Sequence, residues 1–371
     1  MHKHLHIVSF TVPYPPDYGG VFDLFYKIRA LHEAGIKIHL HCFTTGIVQP
    51  VLKKYCEQVF YYRRNTGLSG ISLTLPYIVR SRINQELVER IKQDDYPVLI
   101  EGIHGSGLLL NLPPGRRKVA LRLHNVEHLY YDALYHSSIS PLKQVYYKAE
   151  SILLKKYEPG ILQRADRIFT VSAKDEQYCK DVMKVQNVTT LPVFTDFTFD
   201  VLPGTGNYCL YHGNLSVSEN EKAVRWLSKH VFDSIDVPLI VAGKNPSDNL
   251  KQLITAYKNI RLVSNPSDEE LRKLLSNAQC HVLPSENATG VKLKLIHALY
   301  KGRHCIVNRA AVEGSSLESL CNVSDGDAIR EKVMELFNEP VTEDLLDHRR
   351  TELTRIFDTK KLAKELIQWL W

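Results

Sequence analysis

The stretch from Ser285 to Asn308, SENATGVKLKLIHALYKGRHCIVN, decides how the rest of the chain is interpreted. Apolar side chains recur in it at the spacing of one helix face: Val291, Leu295, Ala298 and Leu299. Gly302 stands where a C-terminal helix cap belongs, and residues 305–307 are predicted to form a buried strand. With a strand-like run at 281–284 before it, the stretch predicts a β-loop-α-β unit.

The loop from Ser285 to Gly290 leads directly into the predicted helix. A helix N-terminus offers free backbone N–H groups and a partial positive charge, which together favour an anion. Lys292 falls in the predicted first turn, where a cation is disfavoured by about 0.3–1 kcal/mol unless an anion lies nearby. We therefore expect a phosphate here; the alternative is a solvated lysine on a surface helix.

The composition is that of a globular protein. The chain has 371 residues, of which 44% are hydrophobic and 24% charged, and this length suits about two domains. The N-terminal run MHKHLHIVSF is too short for a signal peptide, and no stretch approaches the ~18 apolar residues that a membrane helix requires. We expect a cytoplasmic protein.

Cysteine usage and charge exclude several classes of protein. The seven cysteines are scattered without a CxxC pair, so we interpret them as reduced core residues, forming neither a disulfide framework nor a zinc site. The net charge of +6 is spread along the chain without a nucleic-acid-binding module, so we expect no nucleic-acid partner. Small basic clusters at 63–64 and 116–118 suit anionic sugar phosphates or an acidic membrane surface, which predicts peripheral contact with the inner face of a membrane.

The chain opens with a βαβ pattern. Strand-like runs at 5–10 and 36–42 flank an amphipathic helix, and Gly19 and Gly20 lie at the start of that helix. Such a unit predicts a parallel sheet with its ligand crevice beyond the carboxyl end of the first strand. The two glycines would let backbone N–H groups approach a ligand there, although a tight turn explains them equally well. The spacing is not GxGxxG, which argues against an ordinary dinucleotide fold.

Two polar clusters follow buried strands. The run 97–100 leads into EGIH, which ends at His104, and the run 119–123 leads into HNVE, which contains His124, Asn125 and Glu127. Titratable groups at the carboxyl end of a strand are more often a site than a core feature, because burial would leave them unpaired. The alternative is a helix start with Asn125 as N-cap.

The middle of the chain carries structural signals. Residues 143–163 are predicted to be a long helix that Pro159 bends or ends, and Ser172 is predicted to cap the helix after the next strand. Residues 191–206 are rich in proline and glycine, and a second set of alternating strands and helices begins at 208. We therefore predict domains at 1–195 and 206–355, followed by a C-terminal helix at 356–371.

Several motifs together resemble a known family. GVKLKLIHALYKG at 290–302, YHGNLS at 211–216, VAGKNP at 241–246 and HNVE at 124–127 are similar, in order and spacing, to landmarks of the GT-B glycosyltransferases of family 4. The resemblance covers most of the chain. It implies an α/β fold of two doubly wound, Rossmann-like domains that face a cleft, with a C-terminal helix packing back on the first domain. It places a nucleotide diphosphate sugar on the C-terminal side.

The resemblance also assigns the site residues. The catalytic residues it implies are His124 and Lys294. The donor-binding residues are Gly20, Asn214, Lys244, Thr289, Gly290, Val291, Lys292 and His297. The acceptor or sugar residues are Gly19, His104, Asn125 and Glu127. No DxD-like pair stands at a strand end, so we expect no metal, and lysines with helix N-termini would stabilise the leaving diphosphate.

Three positions depart from the family pattern. Thr289 and His297 stand where family members commonly have glutamates, and Asn214 replaces the usual arginine. A histidine offers one hydrogen bond per ring nitrogen and cannot chelate two ribose hydroxyls as a carboxylate does. Donor affinity or donor identity is therefore expected to differ from the commoner members.

The function implied is a retaining hexosyltransferase that moves sugar from a nucleotide diphosphate sugar to an acceptor hydroxyl in surface polysaccharide or glycolipid synthesis. Its partners would be the nucleotide-sugar donor, which is a co-substrate and not a cofactor, and a saccharide or lipid-linked acceptor. Two alternatives remain open at this point. One is a catalytically silent nucleotide-sugar binder, which the missing glutamates favour, and the other is a further GT-B enzyme such as a nucleotide-sugar epimerase.

Overall fold

A computed structural model of the chain describes residues 3–138 and 140–371. The chain divides into two units, the first made of residues 1–196 and 357–371 and the second of residues 197–356. Across the described part of the chain, no helix has the length and apolar character needed to cross a membrane.

The first unit is built on a parallel sheet of seven strands in the order β3-β2-β1-β4-β5-β6-β7. Its strands are β1 His4–Ser9, β2 Lys37–Thr44, β3 Gln58–Arg63, β4 Val98–Glu101, β5 Val119–Leu123, β6 Arg167–Thr170 and β7 Val188–Thr190. The strand order reverses direction between β1 and β4, and at such a switch point the carboxyl ends of the strands open a crevice.

Six helices connect these strands: α1 Gly19–Glu33, α2 Tyr77–Arg80, α3 Gln85–Ile91, α4 Glu127–Ser137, α5 Pro141–Leu162 and α6 Ala173–Asp181. The predicted long helix is confirmed as α5, which contains Pro159 and continues to Leu162, so of the two predicted effects this proline does not end the helix at its own position. The predicted cap of α6 is confirmed, since Ser172 Oγ accepts a hydrogen bond from the Asp175 backbone N–H at 3.1 Å.

The second unit has a parallel sheet of six strands in the order β10-β9-β8-β11-β12-β13. Its strands are β8 Cys209–Asn214, β9 Leu239–Lys244, β10 Ile260–Ser264, β11 Cys280–Val282, β12 His304–Val307 and β13 Asn322–Val323. Here the direction reverses between β8 and β11, so the crevice of this unit is expected at their carboxyl ends.

Seven helices accompany this sheet: α7 Ser218–His230, α8 Asp248–Ile254, α9 Asp268–Asn277, α10 Leu293–Lys301, α11 Arg309–Val312, α12 Ala328–Phe337 and α13 Glu343–Phe357. Helix α10 lies within the stretch 285–308 and begins one residue after Lys292, which is its N-cap. Gly302 is the C-cap of α10, as the sequence predicted, with an extended φ of −107° and its backbone N–H donating to the Ala298 carbonyl.

The last helix, α14 Thr359–Leu370, belongs to the first unit. Its apolar side chains Leu362, Leu366 and Leu370 share a core with Leu24 and Ile28 of α1. A second core covers the other face of the same sheet and takes in side chains of α3 and α5. Because this sheet is buried on both faces, its central strands appear in the sequence as continuous apolar runs rather than as alternating apolar and polar residues.

The predicted fold class of two doubly wound α/β units is confirmed. Three strands were not predicted, and all lie away from the centre of a sheet. Strand β3 is partly exposed, β7 has three residues and β13 has two, so none carries an apolar run strong enough to recognise.

Candidate functional site

Three elements of the second unit meet around one lysine. The Lys294 ammonium, in the first turn of α10, lies 2.9 Å from the Tyr211 hydroxyl of β8 and 2.8 Å from Asn220 Oδ1 of α7. The Tyr211 hydroxyl in turn donates to Asn220 Oδ1 at 3.1 Å. The lysine is thus fixed at the carboxyl end of β8, beside the switch point of the sheet.

The surroundings of Lys294 tune its charge. Burial lowers its pKa to about 8, and the nearby Glu219 carboxylate opposes that effect. Glu219 also accepts a short hydrogen bond from the Ser285 hydroxyl, so the acid is held at the start of the loop before α10. With a pKa of about 8, the ammonium keeps its proton at pH 7 and loses it in mildly alkaline solution unless an anion lies nearby.

The loop between β11 and α10 is folded on itself. Asn287 Oδ1 accepts hydrogen bonds from both the backbone N–H and the hydroxyl of Thr289, each at 2.8 Å. Lys292 Nζ donates to the Thr289 carbonyl at 2.8 Å, and Gly290 has a φ of +62°, a conformation that favours glycine. The loop therefore brings Thr289, Gly290, Val291 and Lys292 together at the N-terminus of α10.

His297 lies one turn further along α10 and packs against aromatic rings. Its imidazole stacks on Phe197 with centroids 4.6 Å apart and an interplanar angle of 2°, and its edge meets His212 at 5.9 Å. Burial lowers the pKa of His297 to about 4, so the ring is neutral at pH 7. Lys294 and His297 do share this helix, but the stacking on Phe197 fixes one face of the imidazole.

Asn214 and Lys244 are register partners at the carboxyl ends of β8 and β9. Asn214 Oδ1 accepts from the Ser216 hydroxyl at 2.8 Å, and the Asn214 carbonyl accepts from Asn220 Nδ2 at 2.8 Å. The Lys244 carbonyl accepts from the Leu215 backbone N–H at 2.9 Å. Both residues are exposed, so the structure places them on the rim of the same edge as Lys294.

In the first unit, Gly20 lies against an aromatic wall. A Cβ on this glycine would lie 3.1 Å from the Phe10 ring and 3.5 Å from the His124 ring. Phe10 stacks on His104 with centroids 5.1 Å apart and meets the edge of His124 at 5.8 Å. The start of α1, which includes Gly19, is thereby brought together with both predicted histidines.

Beneath this wall lies a buried network of charges. The Lys27 ammonium contacts Glu101 at 2.7 Å and Asp23 at 3.1 Å, and Arg122 contacts Asp23 at 3.1 Å. His124 Nε2 lies 3.2 Å from the other Glu101 oxygen. Burial alone raises the pKa of Asp23, but Arg122 and Lys27 outweigh it and hold that pKa below its ordinary value.

Asp23, Glu101 and His124 present ligand-type atoms within 4.8 Å of one another, as a metal site does. The Lys27 ammonium, however, already contacts both carboxylates and supplies the positive charge that they need. We therefore interpret the cluster as a support that orients His124. Sequence reasoning missed Asp23, Lys27 and Arg122. The available signal was an i, i+4 acid and base on the otherwise apolar face of α1.

Asn125 and Glu127 serve the start of α4. Helix α4 begins at Glu127 with Val126 as its N-cap, so the alternative of Asn125 as N-cap is wrong. The Glu158 carboxylate of α5 caps the helix instead, accepting from the Glu127 backbone N–H at 2.9 Å. Burial, followed by Glu158, raises the pKa of Glu127 to about 8, so this acid holds a proton at pH 7. Asn125 also hydrogen-bonds to the Glu127 side chain.

The predicted residues thus form two groups. One group, in the first unit, comprises Gly19, Gly20, His104, His124, Asn125 and Glu127. The other, in the second unit, comprises Asn214, Lys244, Thr289, Gly290, Val291, Lys292, Lys294 and His297. Sequence reasoning also missed the partners of Lys294, because Tyr211, Glu219 and Asn220 reach it from separate elements.

Comparison with known proteins agrees with this architecture. Residues 206–339 match the family model described as Glycosyl transferases group 1. A Klebsiella pneumoniae protein described as an uncharacterized 44.6 kDa protein in the cps region is 28% identical over 328 residues, which cover 83% of this chain and 84% of that protein.

Two solved structures share the fold over the full length. A TarM variant from S. aureus, in complex with Fondaparinux, alpha-GlcNAc-glycerol and UDP, aligns with a TM-score of 0.69 at 10% identity and covers 99% of each chain. A glycosyltransferase from Rickettsia africae aligns with a TM-score of 0.68 at 15% identity and covers 100% of this chain and 98% of its own. The two α/β units of the chain therefore have the GT-B fold of these solved structures, and residues 206–339 match the family model of the group 1 glycosyl transferases.

Proposed function

We propose that this protein is a retaining, metal-independent hexosyltransferase that moves a sugar from a nucleotide diphosphate sugar to an acceptor hydroxyl. The observation that carries the proposal is the half-buried Lys294, held by Tyr211 and Asn220 at the switch point of a unit whose residues 206–339 match the group 1 glycosyl transferases. Retention of the anomeric configuration comes from the family resemblance.

The diphosphate of the donor is assigned to the N-terminus of α10. Negative charge builds on the leaving diphosphate as the glycosidic bond breaks, so a fixed cation and free backbone N–H groups lower the barrier. Lys294 supplies the half-buried cation, and Lys292 stands at the N-cap two residues before it. Both positive charges belong to the protein, and the proposed chemistry needs no further ion and no cofactor.

The ribose of the donor is assigned to His297. A neutral imidazole carries one donor and one acceptor nitrogen, so a ring nitrogen can make one hydrogen bond to a ribose hydroxyl. Stacking on Phe197 fixes the plane of the ring. From the family resemblance we assign sugar binding in the first unit to His124, whose Nε2 lies 3.2 Å from Glu101, and acceptor binding to the surrounding residues of that unit.

The acceptor is proposed to be a saccharide or a lipid-linked saccharide in surface polysaccharide or glycolipid synthesis. Support comes from the Klebsiella pneumoniae relative, which is described as a protein of a cps region. The S. aureus TarM variant was solved with UDP and with sugar compounds, which supports UDP as the first nucleotide to try.

A second candidate is a nucleotide-sugar binder without catalytic activity. It is favoured by the two positions that lack glutamates: the Thr289 hydroxyl is already bonded to Asn287, and His297 is stacked on Phe197. Such a protein would bind the donor at the same lysine but would release no sugar.

A thermal-shift screen of nucleotide sugars tests donor binding, because a ligand of the native state raises stability by RT ln(1 + [L]/Kd). The true donor should raise the melting temperature, and Lys294→Ala should abolish that rise. Lys251→Ala is the matched control, since Lys251 lies on α8 of the same unit in an exposed pair with Asp248. An unchanged shift in the Lys294 variant would remove this lysine from the donor site.

Donor hydrolysis in the absence of acceptor then separates the two candidates. A transferase should release free sugar and nucleoside diphosphate slowly, and Lys294→Ala should reduce that release. Binding with no release, under conditions in which the wild-type protein shows the thermal shift, would establish the silent binder.

A further inference from the structure

Helix α5 presents an apolar stripe to solvent. Leu142 is 84% exposed, Val145 72% and Ile152 48%, and Tyr146 lies beside them. The spacing of three and then seven residues places these side chains on one helical face. Apolar side chains on a helix usually face the core, so a solvent-facing stripe of this length points to a partner surface.

The loop before α2 extends this stripe. Leu68 is 87% exposed and Leu73 is 93% exposed, with Ile71 between them. Two contacts hold the loop beside α5. Tyr77 packs edge-on against the Tyr146 ring, and its backbone N–H donates to Glu150 of α5 at 2.9 Å.

The tip of the loop is held in turn by Tyr77. Gly70 packs so closely on the Tyr77 ring that a Cβ would lie 2.6 Å from it. The five exposed residues Leu68, Ile71, Leu73, Leu142 and Val145, with Tyr146 and Ile152, therefore form one surface, here called the α5 face.

The charges around the α5 face are of one sign. The sequence has no aspartate or glutamate between Glu57 and Glu86, nor between Asp132 and Glu150. Lys143, Lys155 and Lys156 of α5 and Arg63 at the base of the loop are exposed. Glu150 is buried under α2, and Asp132 pairs with Lys148 at 3.0 Å, so these acids add little negative charge to the surface.

We propose that the α5 face docks on an anionic lipid bilayer. Exposed leucine, valine and isoleucine side chains enter the boundary between headgroups and acyl chains, while lysines flanking the stripe meet anionic headgroups. A surface that binds another protein ordinarily carries charged groups of both signs, whereas the α5 face combines aliphatic side chains with positive charges. The inference does not depend on the transfer reaction proposed above.

Co-sedimentation with vesicles tests the proposal on the full chain. Wild-type protein should bind vesicles of phosphatidylglycerol and phosphatidylcholine, and the bound fraction should fall as salt rises. It should bind vesicles of phosphatidylcholine alone at least about tenfold more weakly, since each lysine near an anionic surface adds to binding.

Two variants with matched controls separate the apolar and ionic parts. The apolar variant carries Leu142→Ser with Val145→Ser, and the ionic variant carries Lys143→Glu with Lys156→Glu. Each variant should reduce the partition coefficient between vesicles and solution by about tenfold or more. The controls are Leu202→Ser with Met334→Ser, exposed apolar residues of the second unit, and Lys361→Glu with Lys364→Glu on α14. The controls should leave binding within about twofold of wild type.

Circular dichroism and the melting temperature establish that each variant is folded before it is compared. The proposal is overturned if both α5 variants still bind vesicles as the wild-type protein does. It is also overturned if the control substitutions reduce vesicle binding as much as the α5 substitutions do. The proposal is also overturned if the wild-type protein does not bind vesicles and light scattering shows that it forms a dimer, which the double substitution Leu142→Ser with Val145→Ser dissociates. That result would assign the α5 face to a second copy of the chain.

Discussion

The Lys294 ammonium and the Tyr211 hydroxyl lie 2.9 Å apart, on two elements that are far apart in sequence and meet at the switch point of the second sheet. The lysine also lies over the tyrosine ring, 4.8 Å from its centroid. These contacts hold a half-buried cation between two neutral oxygen atoms and an aromatic ring. Its charge therefore depends on pH and on any anion that binds.

The first prediction concerns the pH dependence of nucleotide binding. The pKa of Lys294 is lowered from 10.5 to about 8, by burial above all, and a bound diphosphate should raise it again. Affinity for UDP or GDP should therefore be constant below pH 7.5 and should fall by about tenfold between pH 7 and pH 9, as the free protein loses the proton. Titration calorimetry at a series of pH values measures this directly.

The variant Lys294→Arg is the comparison for that experiment. A guanidinium stays protonated throughout the range, so any affinity that the variant retains should be flat with pH. A flat wild-type profile would show that Lys294 does not contact the diphosphate.

The second prediction concerns the charge network below His124. Lys27→Met leaves the buried carboxylates of Asp23 and Glu101 without their shared ammonium, which should cost about 3–5 kcal/mol. The urea midpoint of the full chain should fall accordingly. Lys37→Met removes an exposed pair with Glu57 and should leave the midpoint unchanged. Equal effects of the two substitutions would mean that the buried network is not stabilising.

Much of the fold was predictable because each unit repeats a local pattern. Strands β1, β5 and β12 are short apolar runs, and helices such as α1 and α10 follow loops that contain glycine, so periodicity and capping residues mark their limits. Gly302 ends α10 as predicted, whereas tertiary structure decides what local preference leaves open, since Pro159 is accommodated within α5 three residues before its last residue.

The candidate site was predictable only in part. Loops that follow strands could be located, because parallel strands bring their carboxyl ends to one edge. The side chains that contact those loop residues could not be predicted, because Asn220 reaches Lys294, and Lys27 reaches Glu101, only through the packing of separate elements. Nothing in the sequence around Phe197 indicates that its ring stacks on His297.

The third prediction concerns acid stability through the histidines of β1 and β2. His6 Nδ1 lies 2.9 Å from His41 Nε2, and His6 Nε2 lies 3.1 Å from Asp94. Burial lowers the pKa of His6 to about 4 in spite of Asp94, with His39 and Arg117 acting in the same direction as burial. Burial also lowers the pKa of His41, which faces Tyr62 and Arg90.

Since the folded pKa of His6 lies below the ordinary 6.5, the unfolded chain binds the proton first as the pH falls. The contribution of His6 to stability is therefore present above pH 6.5 and is lost between pH 6.5 and pH 4, by about 2 kcal/mol from pH 7 to pH 5. His6→Phe should unfold with a shallower pH dependence by this amount, whereas the exposed His136→Phe should follow wild type. Parallel profiles of His6→Phe and wild type would contradict the assignment.

The last prediction concerns the close approach of Gly302 to a buried ring. A Cβ at Gly302 would lie 2.0 Å from His281 Nε2 and 2.9 Å from the Ala298 carbonyl, while the φ of −107° suits any residue. Gly302→Ala should therefore destabilise the chain by overpacking, by about 1–3 kcal/mol, and not by backbone strain. Scanning calorimetry on the variant measures the loss.

Gly160→Ala is the matched control, because Gly160 is a helical glycine with open space around its Cβ position. Alanine there should leave stability unchanged or raise it by about 0.5–1 kcal/mol. His281 Nε2 hydrogen-bonds to the Leu275 carbonyl at 3.0 Å, so His281→Ala costs stability alone but should recover part of the loss in the Gly302→Ala background. Strictly additive losses in the double variant would show that the two residues do not collide.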